Sequence, residues 1–315
     1  MQNTELPRRQ FGHTELMVTP LCIGCAPLSS MPEIFGYSVD ESQALDVLRA
    51  AFDCPIRYLD TAASYGDGAS ERHIGIVLRE LGGLPPGYVV ATKIDRDPAT
   101  GDYSGEQAKR SIERSLRLLG LERLQIVFLH DPETARFEDI MALGGAVEVL
   151  ARYRAQGIIQ HIGVAGGPID LMTRYVETGA FGAVLTHNRY TLLNRSAEPL
   201  IDLAVRRGLA VLNGAPYGGG MLAKGPEAFP RYAYRDASPA TLERTRRMAA
   251  LCAEYGVPLA AAALQFSLRD PRITSTVVGM TRRERIAQTL ELARHPIPDP
   301  LWPQLDALGF DTHDL

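Results

Sequence analysis

Four residues able to move a proton or hold a charge stand at the ends of short apolar runs. Asp60 closes "IRYLD", Lys93 closes "YVVATK", His130 closes "QIVFLH" and His187 closes "AVLTH". Tyr65 follows Asp60 after five residues, among small and glycine residues in "YLDTAASYGDGASE". Each alone has an ordinary reading: an aspartate capping a turn, a lysine reaching solvent, a histidine satisfied in the core. Repeated at the ends of successive runs, these residues are better read as one site. Their chemistry suits a carbonyl–alcohol interconversion. A phenol with a pKa of about 10 is a poor acid and a poorer base at neutral pH. A lysine cation beside it favours the phenolate and is expected to bring that pKa down. Asp60 can pair with Lys93 and offset the cost of holding its charge in a cleft. His130 can donate a hydrogen bond to a substrate oxygen and steady developing negative charge. Nothing in this set can carry a hydride, which a nicotinamide cofactor would supply.

The elements that must position these residues alternate along the chain. Strand-like runs occur at 19–24, 56–60, 88–93, 125–130, 160–165, 183–187, 209–213 and 275–279. Segments of helical period lie between them. In "SGEQAKRSIERSLRLLG", Ser104 is the expected cap, Ile112, Leu116 and Leu119 form the apolar stripe, and Gly120 ends the helix. In "SERHIGIVLREL", Ser70 is the expected cap, with Ile74, Val77, Leu78 and Leu81 inward. Asp40 with Gln43 opens a third helix, which carries Leu45, Leu48 and Phe52. Eight strand–helix units in 315 residues predict an α/β fold of the (β/α)8 TIM-barrel type, with chemistry at the C-terminal strand ends. The rival, an open doubly wound sheet binding a dinucleotide, would want G-x-G-x-x-G after its first strand, and "CIGCAPLSSM" does not supply it. No low-complexity or Pro/Gly-rich linker divides residues 1–315, which read as one domain.

Composition narrows the partners. With net charge -4 and a pI near 6.0, the chain shows no basic face for nucleic acid. Its most apolar stretch, "VPLAAAALQFSL", is 12 residues long and too short to span a bilayer. The beginning, "MQNTELPRRQFG", has no apolar run of signal-peptide type, so a cytoplasmic location is expected. Cys22 and Cys25 form C-x-x-C, but in "VTPLCIGCAP" they read as small buried residues of a strand rather than a redox pair at a helix start. There is no second such pair for zinc. A barrel hydrolase holding a metal on His130, His161 and His187 fails on placement, because His161 begins its strand and faces the stability end. No metal is expected.

"LDTAASYGDGASE", with "VVATK" and "VFLH" at the following strand ends, resembles the aldo-keto reductase family. The resemblance extends from "FGHTELMVTPLCIG" to "GMTRRERIAQTL". It implies that Asp60, Tyr65, Lys93 and His130 are the catalytic tetrad. "FLHDPE", "NRYTLLNR" and "NGAPYGGGML" look like the aldose 1-dehydrogenase branch, which includes D-threo-aldose, L-galactose and pyridoxal dehydrogenases. The implied activity is NAD(P)-dependent interconversion of a polar aldehyde or lactol with an alcohol or lactone, in particular oxidation of an aldose at C1. Pyridoxal or general aldehyde turnover is the alternative within that class. A nicotinamide-binding regulatory subunit is the alternative outside it, since barrels of this family can act as sensors for a partner protein. The expected partner is a small polar carbonyl or sugar, with no nucleic acid and no membrane, and a homo-oligomer is left open.

The resemblance also implies a cofactor path through His187, Asn188, Gly214, Ala215, Tyr217, Gly218, Leu222, Gly279, Thr281, Arg285 and Gln288. The chain departs from the family along it. Ala165 and Gly166 stand where Ser-Asn often holds the nicotinamide amide, and His187 replaces a common glutamine. His187 either takes over that contact or packs. Gly214 stands where a tyrosine commonly stacks, with Tyr217 three residues on. Gly279 stands where a phosphate-binding lysine often lies, followed by Met280 and Thr281, while Arg285 keeps the family's arginine position. Arg282 and Arg283 could compensate only by turning inward. One cation fewer for a 2′-phosphate favours NAD over NADP, with both accepted. Two long loops, offering Phe35 and Tyr37 after the first strand and Tyr217, Arg231, Tyr232 and Tyr234 after the seventh, are expected to shape the substrate pocket. Trp302 is expected to pack rather than close it.

Overall fold

The computed structural model describes residues 5–315. Twelve strands are assigned among them. An N-terminal hairpin joins β1 (Arg9–Gln10) to β2 (Met17–Val18). The parallel strands β3 (Leu21–Gly24), β4 (Tyr58–Asp60), β5 (Val89–Ile94), β6 (Leu124–His130), β7 (Ile159–Ala165), β8 (Ala183–His187) and β9 (Ala210–Gly214) follow. A second hairpin pairs β10 (Arg231–Tyr232) with β11 (Arg235–Asp236), and β12 (Ser275–Gly279) comes last. The long parallel strands close as a barrel in the order β12-β3-β4-β5-β6-β7-β8-β9, the predicted (β/α)8 architecture.

Burial explains the composition of the strands. A barrel strand packs side chains into the lumen on one face and against helices on the other, so it reads as a continuous apolar run. All six residues of β5 are buried. Cys22, Tyr58, Ala91, Ile126, Phe128, Leu185 and Leu212 fill the lumen, and Phe11 and Val18 of the N-terminal hairpin join them. The outer faces meet the helices in a second, larger core. The two hairpins were not expected, because strands of two residues are too short to show an alternating pattern.

Helix ends follow local chemistry in two of three expected cases. Asp40 accepts from the Gln43 amide at 2.8 Å and caps Glu41–Phe52. Ser104 accepts from the Gln107 amide at 3.3 Å, and left-handed Gly120 ends Gly105–Leu119. Ser70 is not a cap. The helix Ala69–Glu80 starts from Gly68, and Ser70 lies inside its first turn with its hydroxyl turned to Thr61 and Cys25. Leu81, expected inward, ends that helix 49% exposed, where the chain leaves the barrel coat.

All four cysteines are buried free thiols. Burial, with Asp60 nearby, raises the Cys22 and Cys25 thiols well above their ordinary range, as suits packed strand residues. Trp302 is buried in the helical coat under Arg269, whose guanidinium lies 4.3 Å from its ring centre. Among the described residues no single helix is long and apolar enough to cross a membrane.

Candidate active site

The ends of β4, β5 and β6 bring Asp60, Lys93 and His130 to one side of the barrel mouth. Lys93 is 1% exposed, and its three N–H donors are all taken. Nζ lies 2.7 Å from Asp60 Oδ2, 2.7 Å from the Thr61 carbonyl and 3.1 Å from the Tyr65 hydroxyl. Burial would lower the lysine pKa, but Asp60 and Tyr65 outweigh it and keep the amine a cation.

The loop carrying Tyr65 is held by the rest of its own motif. Thr61 donates to Ser70 at 2.7 Å, Ser70 donates to the Cys25 carbonyl at 3.2 Å, and Thr92 donates to the buried Glu71 carboxylate at 2.5 Å. Gly66 has φ +58°, and a Cβ on it would lie 2.4 Å from the Ser29 carbonyl oxygen. Only glycine fits there. The motif is thus a brace for the phenol as much as a set of reactive groups. The electrostatic expectation for Tyr65 is reversed, however. Burial pushes the phenol above its ordinary range, and Lys93 pulls it back only in part.

His130 brings a residue that the strand-end reading missed. Its Nδ1 lies 2.6 Å from Asp95 Oδ1, and Asp95 Oδ2 accepts from the Ser64 amide at 2.8 Å. Burial alone would raise the Asp95 carboxyl, but His130 and Ser64 hold it below its ordinary range. Burial alone would lower the His130 imidazole, but Asp95 and Asp131 raise it. Asp131 Oδ1 is 3.6 Å from Nε2, and the Tyr65 ring meets the imidazole edge-on with centres 5.6 Å apart. Asp95 was legible in principle, since strand alternation puts residues 91, 93 and 95 on one face. It lies just past the apolar run, so the pattern of the strand does not mark it.

Beside and opposite this cluster the strand ends other than that of β8 carry only small residues. Gly24, Ala165, Gly214 and Gly279 end β3, β7, β9 and β12. His187 and Asn188 lie between, with Asn188 Nδ2 3.2 Å from His187 Nδ1. Burial, aided by Arg189 and opposed by Asp131, lowers His187 to about 4, so it is neutral near pH 7. The buried Asn188 Oδ1 has no hydrogen-bond partner among the described residues, and neither has the Tyr217 hydroxyl. Asn188 and Ala215 hold left-handed backbone, φ +60° and +54°. Gly218 is packed so closely on Tyr232 that a Cβ would lie 2.2 Å from its ring, and Leu222 is fully buried beside it.

The last group of expected residues lies on the outer rim. A Cβ on Gly279 would meet the Pro27 ring at 2.9 Å, and the Thr281 carbonyl accepts from Gln43 at 2.6 Å. Arg285 and Gln288 are exposed on the helix Glu284–Arg294. Arg285 acts on the phenols of Tyr37 and Tyr217 and so sits toward the mouth. Arg283 instead reaches Asp46 at 3.4 Å, away from it.

Two loops meet above the mouth. Phe35 stacks on Tyr37 with ring centres 5.8 Å apart and takes the edge of Tyr234 at 6.1 Å. Tyr234 is delivered by the β10–β11 hairpin, whose turn residues Ala233 and Tyr234 have φ +49° and +67°. Such a turn normally takes Asn or Gly, so this one is strained. Of the expected pocket residues, Tyr232 is structural: it is buried and its hydroxyl donates to the Asn188 carbonyl at 2.8 Å. Arg231 bonds within its own hairpin, to the Tyr234 carbonyl at 2.5 Å. His161 stands at the far end of the barrel, 6.0 Å from the Phe11 ring, and belongs to no cluster at the mouth.

Comparison with known proteins agrees with this arrangement. The model described as aldo/keto reductase family matches residues 20–309. A D-threo-aldose 1-dehydrogenase from a Pseudomonas species is 31% identical over 294 residues, covering 85% of this chain and 88% of that one. A pyridoxal 4-dehydrogenase from Microbacterium luteolum is 30% identical over 340 residues, covering 96% and 97%. The holo form of an aldo-keto reductase from Bacillus halodurans superposes with a TM-score of 0.80 at 20% identity, over 99% of this chain and 98% of that one, a likeness of fold. This chain belongs to the aldo/keto reductase family and is an oxidoreductase.

Proposed function

We propose that the enzyme exchanges a hydride between a nicotinamide cofactor and a polar carbonyl or lactol, and that it oxidises an aldose at C1. The observation that carries this reading is the position of Lys93 Nζ between Asp60 Oδ2 at 2.7 Å and the Tyr65 hydroxyl at 3.1 Å. In oxidation the C1 hydroxyl of the lactol gives its proton to the Tyr65 phenolate as hydride leaves C1, and the C1–O bond becomes the lactone carbonyl. In reduction Tyr65 returns the proton. Lys93 stabilises the phenolate, Asp60 holds Lys93, and His130 hydrogen-bonds the same substrate oxygen.

The mouth suits the cofactor on its own terms. The small residues at the strand ends put no side chain of their own in the way of a flat ring, and the unpartnered buried Asn188 Oδ1 offers an acceptor for a carboxamide. Asn188 and neutral His187 would hold the nicotinamide end. Gly214, Ala215, Tyr217, Gly218 and Leu222 would line its path, and Gly279, Thr281, Arg285 and Gln288 would meet the adenosine end. When bound, the cofactor supplies the hydride exchange that no side chain can perform. NAD is favoured over NADP. A side chain at Gly279 would collide with Pro27, and Arg283 is turned to Asp46, which leaves Arg285, and exposed Arg282 beside it, as the cations near a 2′-phosphate.

The name of the Pseudomonas relative supports an aldose substrate. A second reading, turnover of pyridoxal, draws on the Microbacterium relative's name and on the Phe35–Tyr37–Tyr234 aromatic cluster, which suits a flat ring. The test is absorbance of reduced cofactor with NAD+ or NADP+ against a panel of aldoses and pyridoxal. Lactone formation from a D-threo-aldose is the expected result. Stoichiometric cofactor binding with no turnover on the panel would overturn the reading in favour of a regulatory role.

A further inference from the structure

The carboxylate of Asp95 has no place in the tetrad, yet it is 8% exposed and both its oxygens are engaged. One lies 2.6 Å from His130 Nδ1, and the other accepts at 2.8 Å from the amide of Ser64, the residue before Tyr65. Its backbone is fixed as well: the Asp95 carbonyl accepts from Gln107 at 3.0 Å and its amide donates to Ser111 at 3.3 Å. An ionised carboxylate can only accept, so Nδ1 must carry a proton. That constrains the other nitrogen. With Nδ1 protonated, a neutral imidazole presents a lone pair at Nε2, and it presents an N–H there only as imidazolium.

We propose that Asp95 is a positioning residue that ties the role of His130 to its charge: an imidazolium that donates to the substrate oxygen in carbonyl reduction, and, once neutral, a ring with no N–H to offer that oxygen, whose single hydroxyl proton goes to Tyr65 in oxidation. The same carboxylate, through Ser64, holds the Tyr65 loop in register with that imidazole. This rests on the reading above in placing the substrate oxygen near Nε2. The proton that turns over remains the one on Tyr65; His130 gains and loses its own only by exchange with solvent.

The groups facing His130 bear this out. Asp95 reaches Nδ1 from the end of β5, and Asp131 lies 3.6 Å from Nε2, so each ring nitrogen has a carboxylate. Lys93 of β5 opposes the imidazolium and Tyr65 packs on the ring from the loop after β4. Glu133, in the turn after β6, feels the same imidazole, and His187 of β8 is neutral near pH 7. Tyr103 meets His130 at its backbone and not at its ring: its hydroxyl accepts from the His130 amide at 2.9 Å and faces the His130 carbonyl at 2.5 Å and the Ile94 carbonyl at 3.0 Å. The carboxylates prevail, and the charged form persists above the ordinary range of histidine.

Two measurements test this. The first needs no substrate: 15N NMR of histidine-labelled enzyme across a pH titration. Above the His130 transition the neutral ring should carry its proton on Nδ1 in wild type and on Nε2 in Asp95→Asn, whose amide can donate to Nδ1. A wild-type neutral ring protonated on Nε2 overturns the proposal, whether or not the variant folds. The second is the pH profile of carbonyl reduction. Wild-type kcat should fall about tenfold per pH unit above the His130 transition, and Asp95→Asn should flatten that fall. A variant that keeps both the wild-type profile and the wild-type tautomer also overturns it. Should no carbonyl or lactol turn over while the tautomer switch occurs, the function reading fails and the Asp95–His130 coupling stands.

Discussion

The Lys93 ammonium lies 3.1 Å from the Tyr65 hydroxyl, the amine fully buried and the tyrosine half-buried at the barrel mouth. Each shapes the other. Asp60 and Tyr65 keep the buried amine charged, and the amine offsets part of the burial cost of a phenolate. The first consequence is that Tyr65→Phe should lower turnover on the order of a hundredfold or more. Cofactor affinity, read by fluorescence titration, should change little. Wild-type turnover in that variant would remove Tyr65 from proton transfer.

Because burial raises the Tyr65 phenol, the phenolate needed for oxidation is scarce at neutral pH. The oxidation rate should therefore climb with pH into the alkaline range. Lys93→Met should move the climb to still higher pH, since it removes the cation that favours the phenolate. Profiles that are flat and alike in both proteins would refute this.

Lys93→Met also strands Asp60, which is 3% exposed, without its ion partner. Breaking a buried pair typically costs about 3–5 kcal/mol. The double variant Asp60→Asn/Lys93→Met should recover part of that loss in denaturant titrations. Equal stability of the single and double variants would show that the pair is not coupled.

Cofactor choice turns on Arg285, which makes no ion pair among the described residues. Both cofactors should be accepted with NAD preferred, and Arg285→Ala should lower kcat/KM for NADP more than for NAD. Removing one charge-assisted contact to a phosphate should cost roughly 1.5–3 kcal/mol, about tenfold or more. A strong NADP preference that survives the substitution would place the phosphate elsewhere.

The helix behind Tyr65 leans on its neighbour through a residue without a side chain. A Cβ on Gly75 would lie 1.9 Å from the Leu118 carbonyl oxygen. Gly75→Ala must push the helices Ala69–Glu80 and Gly105–Leu119 apart, at a cost of roughly 1–3 kcal/mol or more. A lower Tm is expected, with lost activity because the loop to Tyr65 rides on that helix. Unchanged Tm would show that the contact yields freely.

What could be read from the sequence was whatever local patterning encodes. Apolar runs ending in Asp60, Lys93 and His130 mark barrel strands, because a strand buried on both faces must be apolar until it reaches the mouth. The caps at Asp40 and Ser104 were legible for the same reason: donor and acceptor are three residues apart. Ser70 has the same local signature, yet its hydroxyl found Thr61 and Cys25 instead, which only the packing of three segments decides. The direction of the Tyr65 shift was out of reach too, since it is a difference between burial and the pull of Lys93. Asp95 was visible as a residue but not as a partner, because His130 lies 35 positions away and only barrel closure brings their side chains to 2.6 Å. Patterning within a few residues sets which elements form, whereas charge balance depends on depth and on neighbours from distant strands, and these exist only once the barrel has closed.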